Sequence, residues 1–326
     1  MKRRDFIALV GSATTWPLVA RAQKAPMAVV GFLGAPAAQR YERYAAAIRQ
    51  GLTEAGFIEG QNLTIEYRWA DGHYDRLPAL ANDLVDRHVS AIVTIGGAPA
   101  TVVARAATST IPIVFNITAD PVKLGLVASL SRPGGNVTGI AMLGVELEAK
   151  RLELLHEVAP TAALIGVLLN PTNPQSKIQL EDVQTAARAI NQRIRIANAS
   201  TEQELDAAFQ TLAQERAGAL LVGQDTFFTS QPALFATLSA RHAIPAFSPW
   251  RAHVEAGCLM SYGANLLDAY RQAGVYAGRV LRGERPAELP VVQAVKFELV
   301  INLNTAKALG LTVPPTLIAR ADEVIE

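Results

Sequence analysis

The chain has only one cysteine, Cys258, in 326 residues. An internal disulfide is therefore excluded, and covalent cross-links contribute nothing to the stability of the fold. The thiol lies in the apolar segment at residues 257–261. We expect it to pack as a small apolar side chain rather than to attack a substrate.

An excess of either charge is also missing. The chain has 30 lysines and arginines against 29 aspartates and glutamates, which gives a formal net charge of +1 at pH 7. Proteins that bind nucleic acid concentrate Lys and Arg on one face, and no basic cluster occurs here. We therefore expect no nucleic-acid partner, and the composition gives no support for a membrane-embedded mature protein.

The common signatures of catalysis are missing too. There is no Gly-x-Ser-x-Gly elbow, no His-Glu-x-x-His helix, no Gly-x-x-x-x-Gly-Lys-Ser/Thr loop and no Gly-x-Gly-x-x-Gly after the first predicted strand. The five histidines are scattered, and none lies three or four residues from another: His73, His88, His156, His242 and His253. We predict that the protein is not an enzyme and uses no metal and no cofactor.

The N-terminus resembles an export signal. Arg3 and Arg4 are followed by an apolar stretch from Phe6 to Ala20, and Ala20-Arg21-Ala22 has the small-x-small pattern of a cleavage site. The paired arginines favour the twin-arginine route, and the stretch is shorter than the ~20 residues of a spanning helix. We predict a signal peptide at residues 1–22, cleavage after about Ala22 and a periplasmic mature protein. An uncut membrane anchor or a cytoplasmic chain with an apolar tail is the alternative.

After this signal, short β-branched runs alternate with longer segments of helical period, the pattern of parallel sheets flanked by helices. The pattern restarts after residue 140, and about 300 residues exceed what one core usually organises. We predict an α/β fold of two doubly wound parallel-sheet lobes, with the chain crossing several times between them.

The loops that follow the predicted strands are rich in small and polar residues. Ligands bind outside the carboxyl ends of parallel strands, where exposed amides and helix N-termini hold carboxylates. The same residue types also serve ordinary turns and caps, so only the set of loops together indicates a site. These loops lie at residues 34–37, 96–101, 116–121, 170–174, 223–226 and 248–250.

Several motifs resemble the ABC-transport substrate-binding proteins of the type I periplasmic binding protein fold, a group that includes binders of aromatic amino acids. The most specific is Ser-Arg-Pro-Gly-Gly-Asn-Val-Thr-Gly at residues 131–139. The others are Ile-Pro-Ile-Val-Phe at 111–115, Asp-Pro-Val at 120–122, Lys-Phe-Glu-Leu-Val-Ile-Asn at 296–302 and Thr-Ala-Lys-Ala-Leu-Gly at 305–310. The resemblance covers the chain from residue 27 to its end.

This resemblance implies two lobes joined by three hinge crossings. The first lobe would comprise residues 27–143 and 251–282, and the second residues 144–250 and 283–326. The implied ligand-binding residues face the cleft between the lobes: Gly96, Gly97, Ala98, Thr118, Asp120, Asn170, Asn173, Gln224, Asp225, Phe228, Trp250, Ser261 and Tyr262.

The resemblance also assigns roles within this set. The loops at residues 96–98 and 118–120 would hold a carboxylate, and Asp225 would pair with an ammonium group while contributing little to either core. The sequence departs from the amino-acid binders of this group where the side chain of the ligand should lie. There Phe32, Phe227, Phe228 and Trp250 could stack on a flat apolar ligand, or could belong to the core beneath the cleft. The expected ligand is a small carboxylate, either an amino acid or an aromatic acid, and an acid without an amine would leave Asp225 without this partner.

The implied function is that of a monomeric periplasmic solute-binding component of an ABC importer. It would bind a small-molecule ligand by hinge closure and deliver it to permease and ATPase subunits encoded elsewhere. Two alternatives stay open, a periplasmic sensor that docks on a receptor kinase and an exported α/β enzyme that uses the same cleft.

Overall fold

The computed structural model describes residues 27–142, 147–293 and 297–326. The predicted export signal, the predicted boundary at 143/144 and Lys296 lie outside these residues. The strands, in chain order, are β1 (Ala28–Gly34), β2 (Leu63–Trp69), β3 (Ala91–Ile95), β4 (Ile113–Ile117), β5 (Val137–Ala141), β6 (Ile165–Leu169), β7 (Ile194–Asn198), β8 (Ala219–Val222), β9 (Ala246–Ser248), β10 (Met260–Ala264), β11 (Val292–Gln293), β12 (Phe297–Asn302) and β13 (Glu323–Ile325).

The helices alternate with these strands along most of the chain. They are α1 (Ala38–Glu54), α2 (Leu77–Asp86), α3 (Ala98–Ala107), α4 (Glu148–Val158), α5 (Ser176–Ala189), α6 (Glu202–Gln214), α7 (Thr226–Thr229), α8 (Pro232–His242), α9 (Arg251–Ala256), α10 (Leu266–Leu281), α11 (Leu303–Ala308) and α12 (Pro315–Ile318).

The strands form two sheets, each the centre of one lobe. The first lobe has six strands in the order β11-β5-β4-β3-β1-β2, and the second has seven in the order β13-β12-β10-β9-β8-β6-β7. Every pair in the first sheet is parallel. Among the described strands of the second sheet, β10 and β12 form an antiparallel pair and the other pairs are parallel. The predicted fold class, α/β with two parallel-sheet lobes, is confirmed.

The central strands are continuous apolar runs because both of their faces are covered by helices. All five residues of β3, β4, β5 and β6 are buried. Polar residues therefore concentrate where these strands end, and the carboxyl ends of both sheets face the space between the lobes.

The chain passes between the two sheets three times. It leaves the first sheet after β5, returns at Asn265 between β10 and α10, and leaves again after β11. Sheet membership differs from the predicted boundaries at two places. Residues 260–264 pair within the second sheet and Val292 pairs with Ile140 of the first. The prediction placed both crossings at the ends of helices, which local sequence patterns indicate. The true crossings are set by which distant strands pair, and such pairing leaves no local pattern in the sequence.

Helices α1 and α10 touch backbone to backbone on the first lobe. A Cβ atom on Gly51 would lie 1.9 Å from the carbonyl oxygen of Arg271, and one on Gly274 would lie 2.1 Å from that of Ile48. Glycine is therefore needed at both positions for the helices to approach this closely. This contact fixes the N-terminal ends of both helices beside the cleft.

A buried ion pair lies beside the crossings. Glu148 and Arg151 of α4 are 3% and 1% exposed and form a 2.8 Å ion pair. Arg151 Nε also donates to the carbonyl of Tyr262 in β10, at 2.8 Å. The pair thus connects the start of the second lobe to the strand that precedes the return crossing.

His253 is buried in the core of the second lobe, next to the wall of the cleft. Its Nδ1 lies 2.9 Å from Ser248 Oγ and its Nε2 lies 3.0 Å from the carbonyl oxygen of Phe228. The carbonyl can only accept, so Nε2 carries the proton and Nδ1 accepts from the hydroxyl. Burial lowers the pKa of His253 from 6.5 to about 4.

We expect acid to destabilise the protein through this histidine. Since its pKa is lower in the folded state, the unfolded chain takes up the proton first, and stability falls as the pH drops from 6.5 towards 4. The contribution between pH 7 and pH 5 is about 2 kcal/mol. Urea denaturation at both pH values should show a smaller loss for His253→Gln than for the wild type. An equal loss in both proteins would contradict this assignment.

Candidate functional site

A cavity of about 590 Å3, including its open mouth, lies between the two lobes. Its walls come from both lobes, at the carboxyl ends of β3, β4, β8 and β9, where ligands bind in parallel α/β sheets. The first lobe contributes Tyr41, Gly96, Gly97, Ala98, Pro99, Asn116, Thr118, Ala119, Met142, Leu266 and Tyr270. The second lobe contributes Asn173, Gln175, Gln179, Gln224, Asp225, Thr226, Thr229 and Trp250.

The N-terminus of α3 forms one wall of this cavity. Gly97 precedes the helix with a φ of 87°, a left-handed conformation that favours glycine, and no side chain caps the helix. Helix geometry leaves the amides of Gly97 and Ala98 without intrahelical acceptors, so they can hold an anion. The Gly96 amide, also expected to bind the ligand, instead donates to the Tyr270 hydroxyl at 3.1 Å.

Three buried polar side chains in the cavity wall have no hydrogen-bond partner among the described residues. They are Asn116, Gln224 and Trp250, with exposed fractions of 1%, 5% and 7%. Both carboxamide atoms of Asn116 and of Gln224 are unpaired, as is the indole Nε1 of Trp250. Unpaired buried polar groups are costly to a fold. Their placement around one cavity makes them candidate ligand-binding groups.

The Gln224 carboxamide also lies near a buried acid. Burial raises the pKa of Glu148, and Arg151 and then the Gln224 side chain offset part of that rise. The Gln224 carboxamide nevertheless forms no hydrogen bond with the described residues. The Gln224 backbone is fixed by Gln179, whose side chain accepts from the Gln224 amide at 2.8 Å and donates to its carbonyl at 2.9 Å.

The Asp225 carboxylate, by contrast, is fully paired within the protein. Its Oδ1 accepts from Asn170 Nδ2 at 3.0 Å and from the Phe227 and Phe228 amides at 2.8 and 3.4 Å. Its Oδ2 accepts from Asn173 Nδ2 at 2.9 Å and the Tyr74 hydroxyl at 3.0 Å. Burial raises the pKa of Asp225, and these donors offset part of the rise. Five donors occupy the about four lone-pair positions of a carboxylate, which leaves none for the expected ammonium group.

The two asparagines of the loop after β6 serve this carboxylate rather than the cavity. Asn170 Nδ2 is committed to Asp225, and its Oδ1 accepts from the amide and hydroxyl of Thr172. Asn173 likewise donates to Asp225, while its Oδ1 accepts from the Gln175 amide. Asn173 lines the cavity, and Asn170 lies at a neighbouring one on the outer side of the cleft.

Polar contacts hold the two lobes together beside the cavity. Tyr74 of the first lobe bonds to Asp225 and, at 2.9 Å, to Thr226 Oγ1 of the second lobe. Arg40 and Glu202 form a further ion pair between the lobes at 2.6 Å, with half-exposed side chains. Exposed pairs contribute little stability, so the buried Tyr74 contact carries more of this connection.

Several residues expected to bind the ligand lie elsewhere. Asp120 caps its own turn by accepting from the Val122 and Lys123 amides, and it lines a neighbouring cavity. Phe228 and Ser261 are each 1% exposed within the second lobe, and the Tyr262 ring faces a separate cavity beside Phe297. Phe32 is fully buried in the first-lobe core and Phe227 packs at the edge of the second-lobe core. Among the four aromatic residues predicted to stack on a ligand, it is Trp250 that lines the cavity.

Other lining residues escaped the sequence analysis. Tyr41 and Tyr270 lie on helices whose apolar period indicated only core packing, and Thr229 ends a four-residue helix that is too short to show a pattern. Asn116 carried a detectable signal, because it interrupts the apolar strand β4 with a buried carboxamide.

The described residues contain no group of three or more His, Cys, Asp or Glu side chains placed to hold a metal ion. In the same part of the chain, no helix is both long and apolar enough to span a membrane.

Comparison with known proteins shows which family this chain resembles. Residues 26–325 match the family model described as ABC transporter substrate binding protein. The chain is 30% identical over 263 residues to the "Tyrosine-binding protein" of Clostridioides difficile, an alignment that covers 80% of this chain and 75% of the relative.

Two solved structures show the same architecture. An ABC domain from Streptococcus pneumoniae in complex with L-Trp is 26% identical, with a TM-score of 0.80 over 91% of this chain and 99% of that one. A ligand-free, open substrate-binding protein from Clostridium difficile is 25% identical, with a TM-score of 0.64 over 92% and 99%. At nearly equal identity, the TM-score is higher for the structure in complex with L-Trp than for the ligand-free, open one.

Proposed function

Since this chain belongs to the ABC transporter substrate-binding protein family, we propose that it is the periplasmic solute-binding component of an ABC importer. It captures a small carboxylate, either an amino acid or an aromatic acid, between its lobes and delivers it to a membrane permease driven by an ATPase. The observation that carries this proposal is the cavity wall with unpaired polar groups from both lobes, Asn116 from the first and Gln224 and Trp250 from the second.

The ligand class follows from the chemistry of the wall and from the relatives. The amides at the start of α3 and the positive end of that helix suit a carboxylate. Tyr41, Tyr270 and Trp250 offer apolar ring surface to a flat group. The relatives whose names specify tyrosine and L-Trp support the same size and chemistry.

Hinge closure links binding to transport. A ligand that contacts both lobes completes its contacts only in the closed form, so it shifts the population towards that form. The permease then recognises the closed protein and receives the ligand. In this proposal, the predicted export signal at residues 1–22 directs a mature monomer to the outer side of the inner membrane, where this encounter occurs.

Replacing Gly97 with valine should weaken binding at least tenfold. Valine is strained at a φ of 87°, and its branched side chain crowds the amides that hold the carboxylate. The matched control is Gly60→Val, because Gly60 also has a positive φ, of 80°, in an exposed turn far from the cavity. Isothermal titration should show weakened binding for the Gly97 variant alone. Equal affinity of the two variants would contradict the role of this helix end.

An uptake assay tests the transport role. Cells that lack the gene should accumulate less of the labelled ligand than cells that carry it, and Gly97→Val should not restore uptake. Normal uptake without the gene, together with retained binding in vitro, would favour a sensor. Chemical conversion of the bound ligand by the purified protein would instead favour an enzyme.

A further inference from the structure

We propose that the ligand is an aromatic carboxylate without an ammonium group. This inference rests on the proposed function and narrows its two ligand classes to one. It depends on which polar groups in the cavity are occupied by the protein and which are free.

Among the described residues that line the cavity, none offers a free anion to an ammonium group. Asp225 is its one acidic lining residue in the described chain, and five protein donors surround that carboxylate. An ammonium group could reach it only by displacing a donor such as Asn173 or Tyr74. Losing the Tyr74 bond would also weaken the connection between the lobes, so binding of a zwitterion would work against closure.

The free side-chain atoms of the wall are three N–H donors, which suit a carboxylate, and two neutral acceptors, Oδ1 of Asn116 and Oε1 of Gln224. Nδ2 of Asn116, Nε2 of Gln224 and Nε1 of Trp250 are unpaired, and the first amides of α3 face the same cavity. Each of these neutral donors can bond a carboxylate oxygen, and the helix end adds a partial positive charge. The charge of Asp225 is spread over its own five donors, which reduces its repulsion of a second carboxylate.

The rest of the wall suits a flat apolar body. Tyr41, Tyr270 and Trp250 present rings, while Met142 and Leu266 add aliphatic surface. Rings favour edge or offset contacts with another ring. An aromatic group attached to a carboxylate by a short linker suits both the N–H donors and the apolar part of the wall.

Three probes with the same hydroxyphenyl ring test the inference: 3-(4-hydroxyphenyl)propanoate has only the carboxylate, tyramine has only the ammonium group and L-tyrosine has both. Isothermal titration should show the propanoate binding at least tenfold more tightly than L-tyrosine, with tyramine weakest. Tighter binding of L-tyrosine would overturn the inference and leave the proposed function standing. Binding of tyramine alone would overturn both, and binding of none of the three would overturn the inference alone.

Two variants identify the role of Asp225 independently of its effect on folding. Asp225→Asn should weaken the propanoate and L-tyrosine by a similar factor, because it disturbs the contact between the lobes and not a contact with the ligand. Tyr74→Phe removes one of the donors to Asp225 and so frees one lone pair of the carboxylate. The ratio of the affinity for the propanoate to the affinity for L-tyrosine should therefore fall at least threefold. If Asp225→Asn weakened L-tyrosine alone, Asp225 would be the ammonium partner and the inference would fail.

Discussion

Replacing Asp225 with alanine is expected to lower the free energy of unfolding by about 3 kcal/mol or more, a large effect for a residue at a binding cleft. The variant strands the buried side chains of Asn170 and Asn173 and removes the N-cap of α7. Hydrogen bonds to charged groups contribute about 1.5–3 kcal/mol each and a cap about 1 kcal/mol. The sequence-based expectation that this carboxylate contributes little to either core is therefore wrong, because it lies at the centre of a buried network.

Urea denaturation of the ligand-free protein measures this effect. The control is Asp206→Ala, which removes an exposed ion pair with Arg241 and should change the free energy of unfolding by less than about 1 kcal/mol. If both variants lost the same small free energy of unfolding, the donors around Asp225 would have found other partners. The description of Asp225 as a structural carboxylate would then fail.

Replacing Asn116 with leucine should have opposite effects on stability and on binding. Both carboxamide atoms are buried without partners, so an apolar side chain of similar size removes a desolvation penalty. We expect the ligand-free protein to gain about 1 kcal/mol or more in free energy of unfolding. Ligand affinity should fall at least tenfold, since the carboxamide contacts would be lost.

A paired asparagine in the same lobe is the matched control for this experiment. Asn136 donates to the carbonyls of Thr108 and Ile111 at 3.2 and 2.7 Å, and Asn136→Leu should cost about 1–3 kcal/mol. Denaturation and titration of both variants separate the two roles. A loss of stability in Asn116→Leu would show that the carboxamide already has a partner in the protein.

Local sequence patterns were sufficient to predict much of the fold. The sequence pattern predicts a strand at residues 91–95 and helices at 98–107, 202–214 and 266–281, and β3, α3, α6 and α10 have these bounds. Each is a buried run or an amphipathic period ended by a clear cap or turn. Helix α6 begins at Thr201, whose hydroxyl accepts from the Glu204 amide, as the Thr-x-x-Glu pattern favours. Helices α8 and α9 were missed, since they lie among polar and aromatic residues with no strong period.

The site was harder to predict than the fold because its chemistry depends on pairing across the chain. The sequence identified the loops, and Gly97, Gln224 and Trp250 do line the cavity. It could not show that Asp225 is occupied by Tyr74, which lies 151 residues away. Nor could it distinguish Asn116, which has no partner, from Asn170, which has several. Both are asparagines at or near the end of a buried strand, and only the fold decides what surrounds them.

A melting-temperature comparison tests the central claim that the unpaired groups between the lobes form the ligand site. The wild type and the Asn116→Leu, Gln224→Leu double variant are screened against amino acids, aromatic acids, aliphatic acids and sugars, because a ligand that binds the native state must raise the melting temperature. We predict that an aromatic carboxylate stabilises the wild type and leaves the double variant unchanged. Equal stabilisation of both proteins would place the site elsewhere, and the absence of any stabilising carboxylate would contradict the proposed ligand class.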